Sequence, residues 1–267
     1  MTTIALDAYI DGIGLLGPGL PSWAATQPIL DGTQPYQPQP TVLPAPALLP
    51  AAERRRSGAI VRLTLATGME AVTAAGLDAA TLPTVFASSG GDGDTCHAIC
   101  EMLASSDRRI SPTRFHNSVH NAAAGYWSIA TGAMAASSVL SAHDASFGAG
   151  LLEAVTQVVV DGTRTLLLAC DTRYPEPLHS ARPIVDAFGV ALMLAPQAGA
   201  RSLAKISIAL TAAGADTLDD PALERLRLGV PAARALPLLR ALSLRQHGQM
   251  VLDYLDKTRL AVTVAAC

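Results

Sequence analysis

Phe115-His116-Asn117-Ser118-Val119-His120-Asn121-Ala122-Ala123-Ala124-Gly125-Tyr126-Trp127-Ser128-Ile129 is the most informative run of this chain. Two His-Asn pairs, His116-Asn117 and His120-Asn121, stand beside Gly125, Tyr126 and Trp127. The small residues of Ala122–Met134 predict a helix opening after Asn121. Polar side chains at a helix start can donate and accept hydrogen bonds at the mouth of a site. They can also lock a buried loop, and residue chemistry alone favours the lock.

On either side of this run the pattern alternates between short apolar runs and helical periodicity. After it come a strand at Ser138–Ala142, a helix at Phe147–Asp161 that turns β-branched at Val158-Val159-Val160, and buried strands at Thr165–Cys170 and Val190–Leu194. Before it lie a helix at Ser57–Ala75 with Gly76 as its C-cap, a strand at Thr84–Ser88 that ends in Ser88-Ser89-Gly90-Gly91, and a helix near Asp94–Leu103. Ile4–Leu16 reads as an opening strand that meets a glycine-rich turn. Towards the end a strand is expected at Lys205–Leu210, helices at Ala222–Leu242 and Gly248–Leu255, and a strand at Leu260–Ala265. Alternation of this kind predicts a largely parallel or mixed sheet covered by helices. Pro18–Pro50 holds half of the 18 prolines and is expected to be a surface excursion, with a short helix near Trp23–Leu30.

Of the 267 residues, 50% are hydrophobic and only 4% aromatic, so an α/β core of small side chains is favoured over a β-sandwich. The net charge of −3 implies no broad basic face, so nucleic acid is not an expected partner. Arg54-Arg55-Arg56 is the one basic cluster; it reads as a solvated helix start, the alternative being a patch for an acidic carrier protein. No apolar stretch is long enough to span a bilayer and no signal peptide is evident. Cys96, Cys100, Cys170 and Cys267 form neither a disulfide framework nor a zinc set; they are expected to be buried, reduced apolar fillers in a cytoplasmic protein.

Three patterns suggest independent chemistry. Gly12-x-Gly14-x-x-Gly17 has dinucleotide-binding spacing, but Pro18 and Pro21 stand where the helix should begin. Ser141, His143 and Asp144 are hydrolase residue types too close in sequence to converge as a triad. Cys170 at a strand end offers a thiol, although a core cysteine is the commoner explanation.

The string Asn117–Trp127 resembles a signature of the β-ketoacyl synthase family, in its short, chain-length-factor-like subgroup from aryl polyene clusters. Ile10–Gly17, Ser57–Leu77 and Val85–Gly91 resemble that family's opening strand, first long helix and following glycine loop; the likeness runs from about Ile4 to Pro196. It implies a thiolase-like layered fold of αβαβα type, as a single domain over 1–267, with one ketosynthase half largely kept and the second truncated. In the family the next strand ends in a cysteine at a tight turn into a helix. Here the turn reads Ser141-Ala142-His143-Asp144-Ala145-Ser146, which puts the cysteine position at Asp144, give or take one residue. No cysteine lies between Cys100 and Cys170, and the family's second-half histidine motifs are absent. His247 matches neither motif and is expected on a surface helix.

The resemblance therefore implies a subunit without its own nucleophile or cofactor. It would pair with an active ketosynthase and meet an acyl carrier protein through the complex. Phe115, His116, Asn117, Val119, His120, Asn121, Tyr126 and Trp127 would lie at the dimer interface and acyl tunnel, with Phe115, Tyr126 and Trp127 limiting chain length. The alternative is a stand-alone acyltransferase or thioester hydrolase using Cys170 or Ser141.

Overall fold

The computed structural model describes residues 5–267, so Ile4, the expected first residue of the opening strand, lies outside the described residues. Among them are eight strands: β1 (Leu6–Leu16), β2 (Thr84–Ala87), β3 (Ser137–Leu140), β4 (Thr165–Asp171), β5 (Phe188–Ala195), β6 (Ala204–Thr211), β7 (Gly248–Leu255) and β8 (Thr258–Ala266). The helices are α1 (Trp23–Leu30), α2 (Ala51–Arg56), α3 (Ala59–Ala75), α4 (Gly93–Ala104), α5 (Pro112–Asn117), α6 (Ala122–Thr131), α7 (Ser146–Asp161), α8 (Leu178–Ala181), α9 (Pro221–Gly229) and α10 (Leu236–Leu244). All strands join one sheet in the order β3-β2-β4-β5-β1-β6-β8-β7. The β3-β2-β4 pairings are parallel and every other pairing is antiparallel, giving the expected mixed sheet.

Each face of the sheet has its own core. On one, α3 and α6 pack Ile60, Leu63, Val72 and Trp127 onto Phe86, Leu168 and Met193. On the other, α7, α9 and α10 pack Phe147, Leu151, Leu226 and Leu239 onto Ile10, Leu167, Val190 and Val262. Central strands are buried on both faces, which is why β4 and β5 read as unbroken apolar runs.

Glycine 12 and glycine 14 of β1 face α3. A Cβ on either would run into the carbonyl oxygen of Ala71 or Thr67, so these glycines let a helix lie against a strand rather than cradle a phosphate. The α3 C-terminus ends as expected, with Gly76 left-handed (φ 66°). The excursion between α1 and α2 lies over the end of β1. Thr41 Oγ1 donates to Ala187 O (2.7 Å) and the Arg62 guanidinium donates to the carbonyls of Leu43 and Pro44.

Four sequence expectations are corrected. The expected helix Gly248–Leu255 is strand β7: Met250 and Leu252 turn into the core, and a two-residue turn at Asp256-Lys257 returns the chain into β8. The alternation is short and the turn lacks Asn-Gly or Asp-Gly, so no hairpin signal marks it. His247 accordingly sits in an exposed loop, not on a helix. The expected single helix over Ala222–Leu242 is broken. Pro231 forces Val230 extended (φ −138°, ψ 123°), and a 3₁₀ turn at Pro231–Ala235 re-aims the chain into α10. That turn is fastened by buried Arg227, which pairs with Glu224 (2.7 Å) and Asp253 (2.5 Å), while Arg234 reaches Asp253 at 2.9 Å. Among the cysteines only Cys170 is buried; Cys96 is half-buried, and Cys100 and Cys267 are exposed.

Candidate functional site

The C-terminal ends of β2, β3 and β4 meet the start of α7, and a sharp turn joins β3 to that helix. His143 occupies the turn with a left-handed backbone (φ 54°), a conformation few non-glycine residues adopt. Buried Ser146 braces it: its hydroxyl donates to His143 O (2.7 Å) and accepts from Ala142 N (3.1 Å). Asp144 follows, exposed, with its carboxylate taken by the Arg182 guanidinium (2.6 Å) and 3.6 Å from His143 Nδ1. The left-handed residue is therefore His143, adjacent to the expected Asp144.

Asp171, at the end of β4, organises the loops around this turn. Its buried carboxylate accepts from Ser89 N (2.7 Å), Ala232 N (2.8 Å) and Ser88 Oγ (3.3 Å). This one side chain connects β4, the glycine loop after β2 and the 3₁₀ turn before α10. Gly90 belongs to the same arrangement, because a Cβ there would occupy the place of the Tyr174 hydroxyl. Burial pushes the Asp171 carboxyl up to about 7, against the lowering by the Ser89 and Ala232 amides, Ser88 and Arg182. With a folded-state pKa above the ordinary 3.8, the group's contribution to stability is full below about pH 4 and is lost as the pH rises through about 7. Urea unfolding from about pH 5 to about pH 8 should show this loss in the native chain and not in Asp171→Asn; parallel stability profiles would overturn the assignment.

The Phe115–Ile129 run divides by exposure. Asn117 is buried; its Nδ2 donates to Arg56 O (2.8 Å) and its Oδ1 accepts from the Tyr126 hydroxyl (3.0 Å). Tyr126 is buried too, with the exposed His116 ring edge-on to it at 6.3 Å. Half-buried His120 lies 3.0 Å from Ser88 O through Nε2, tying the run to the glycine loop. Trp127 is 1% exposed, edge-on to Phe86 at 6.5 Å, and fills the space that Gly68 of α3 leaves open. Phe115 (65% exposed), Val119 and Asn121 face outward. Asn117 and His120 thus lock the loop, as residue chemistry favours, and Tyr126 and Trp127 fill this chain's own core.

The remaining candidate nucleophiles are poorly placed. Cys170 is buried under α3, with Sγ 3.8 Å from Thr67 Oγ1, and burial pushes its thiol up to about 12. Such a thiol is protonated at neutral pH and does not act as a thiolate. The Ser141 hydroxyl donates to Ser89 O (3.0 Å) rather than to a histidine ring. Asp171 was missed because its importance comes from burial beside three distant segments, and a lone Asp after a strand carries no local signal of that.

Among the described residues no helix is long and apolar enough to cross a membrane. No curated protein sequence matches the chain. Several solved structures share its architecture. A chain of the ketosynthase ApeO in complex with its chain length factor ApeC from Xenorhabdus doucetiae is similar at 23% identity and a TM-score of 0.74, covering 97% of this chain and 99% of that one. The ishigamide ketosynthase/chain length factor is similar at 13% identity and 0.69, covering 97% and 99%. The AntDE:AntF complex, a type II polyketide synthase acyl-carrier protein with its ketosynthase bound to the hexaketide, is similar at 12% identity and 0.75, covering 99% and 100%. At these identities the likeness speaks to the fold, which is thiolase-like and of matching length. Residues 23–243 match the family model of the β-ketoacyl synthase N-terminal domain, and the chain belongs to that family.

Proposed function

We propose that this chain is a chain-length-factor-like subunit of a heterodimeric β-ketoacyl-ACP synthase. It lacks thiolate chemistry of its own and shapes the acyl tunnel of an active ketosynthase that extends aryl polyene or related polyunsaturated chains. The observation that carries this reading is the β3–α7 turn. It keeps the strained backbone and the helix start of a nucleophile turn, yet its residues are His143 and Asp144, and Asp144 is paired with Arg182. A carboxylate or an imidazole there does not perform thioester exchange as a thiolate does.

Two further features support pairing with another subunit. The segment from α4 to the loop before β3 carries five exposed large apolar side chains: Leu103, Phe115, Val119, Ile129 and Met134, the last 94% exposed. Helix α4 contributes no fully buried residue except Gly93, although it carries Ile99, Met102 and Leu103. A surface of this kind fits a protein interface. The ketosynthase–chain length factor complexes among the structural neighbours suggest which partner, and the carrier-protein complex suggests where the acyl chain comes from. Phe115 and Val119 would then wall the partner's tunnel, supported from behind by Asn117, Tyr126 and Trp127.

The test is acyl loading. The purified chain and its complex with the ketosynthase partner would each be incubated with acyl-carrier thioester and examined by intact-protein mass spectrometry. A covalent acyl group is expected on the partner alone. An adduct on this chain, or thioester turnover by it in isolation, would establish the alternative acyltransferase or hydrolase reading through Cys170 or Ser141.

A further inference from the structure

A cleft of about 670 Å³ lies away from the β3–α7 turn. Its floor is the end of β1, at Leu15 and Leu16, with Ala66 and Glu70 of α3; its roof is the proline-rich excursion from Gln34 to Pro44. The roof is fastened on both sides of the gap. The Tyr36 hydroxyl donates to Pro18 O (2.8 Å), Thr41 holds Ala187 O (2.7 Å), and Arg62 holds the carbonyls of Leu43 and Pro44. Proline segments keep an extended backbone without main-chain hydrogen bonds, so this stretch can stand off the body as a strap. Between its ties it stays largely out of the core: Val42, which lines the cleft, is 81% exposed.

Among the described residues Glu70 is the one charged residue of the lining. Its position is fixed, because Oε1 accepts from Trp23 N (2.7 Å) and Oε2 from Leu15 N (2.9 Å). Each carboxylate oxygen retains further acceptor capacity. Glu70 takes part in none of the salt bridges among the described residues. Burial raises its carboxyl above the usual glutamate range despite the two donated N–H groups. The charge is therefore only partly compensated, in a cleft whose other walls are leucines, Ile29, Val42 and prolines, with the neutral amides of Gln34, Gln37 and Gln39 on the roof.

We propose that the cleft beneath the strap is a binding site for a small organic cation, with its primary ammonium paired to Glu70 and its apolar chain or ring lying along Leu15, Leu16 and Val42. The volume falls in the range of small-molecule sites, where mostly apolar walls carry a few fixed polar groups. An ion pair in such a partly dry place is stronger than in water. A ligand carboxylate is disfavoured by the charge of Glu70. The site is independent of the reading of the chain as a ketosynthase partner.

Isothermal titration of the full chain with n-hexylammonium, 1-hexanol and hexanoate tests this. Hexylammonium is expected to bind saturably and at least about 10-fold more tightly than hexanol, with hexanoate weakest. Glu70→Gln should bring the amine down to the affinity of the alcohol. Ala66→Phe, which fills the cleft and leaves both Glu70 hydrogen bonds in place, should weaken amine and alcohol together. Equal affinity for amine and alcohol, unchanged amine binding in Ala66→Phe, or no saturable amine binding would overturn the proposal. The last two measurements decide the matter even if Glu70→Gln does not fold.

Discussion

Val139→Pro is expected to weaken the proposed complex with a ketosynthase partner at least about 10-fold while leaving this chain folded. Among the described residues strand β3 pairs only with β2, in the register Thr84↔Ser137 to Ala87↔Leu140. The carbonyls of Ala136 and Leu140 accept from Thr84 N and Ser88 N, so the alternate residues Ser137 and Val139 turn their main-chain groups to the open side. At the other end of the sheet the outer edge of β7 is plugged: Asp216 N donates to Val251 O (2.9 Å) and Asp216 Oδ2 accepts from Val251 N (3.0 Å). Such plugging blocks strand addition. Among the described residues the outward main-chain groups of Ser137 and Val139 have no such partner, which makes β3 the edge open to strand addition. A proline at position 139 removes the outward N–H and places a ring on the open edge, a position where an edge strand tolerates proline within its own chain. Loss of one interface hydrogen bond together with the steric block should weaken pairing by at least about 10-fold. Sizing of the co-expressed pair, with circular dichroism of the variant alone, checks both halves. An intact complex carrying Val139→Pro would exclude pairing through this edge.

The second large effect is expected from Trp127→Ala, and it should appear in stability. The indole is almost fully buried against Phe86, Leu168 and the gap left by Gly68, so truncation opens a cavity in the α3–α6 core. Comparable large-to-small changes cost about 3–5 kcal/mol. Phe115→Ala is the matched surface change: its ring contributes little to this chain's core, so stability should stay within about 0.5 kcal/mol, while the products of the reconstituted pair should lengthen. Denaturant unfolding of both variants and product analysis by mass spectrometry separate the two roles. A stable Trp127→Ala chain would contradict the packing described above. Unchanged products from Phe115→Ala would remove Phe115 as a length-setting wall.

Between Ser57 and Leu194 the long helices and the strands were legible because they announce themselves locally, whereas the short helices α5 and α8 were not read from the sequence. Helix α3 has a clear apolar period and a glycine cap, and β4 and β5 are apolar runs too short for helices. The last third was less legible. Strand β7 lacks a strong alternation and a recognisable hairpin turn, and its register comes from pairing with β8 rather than from its own composition. The break in the expected Ala222–Leu242 helix was marked by Pro231, a signal present in the sequence that helical composition outweighed.

The residues of the site divide in the same way. The sequence alone determined that no thiol stands at the β3–α7 turn, because a missing residue type needs no coordinates. It also made the Asn and His of the Phe115–Ile129 run candidates for a loop lock. Only the tertiary structure decided which side chains of that run face outward: Phe115 and Val119 do, whereas Tyr126 and Trp127 close the core. Exposure depends on what distant segments supply, here the gap at Gly68 and the carbonyl of Arg56. Asp171, Glu70 and the unpaired edge of β3 belong to the same class, since burial, partners and open edges are properties of neighbours far apart in the chain.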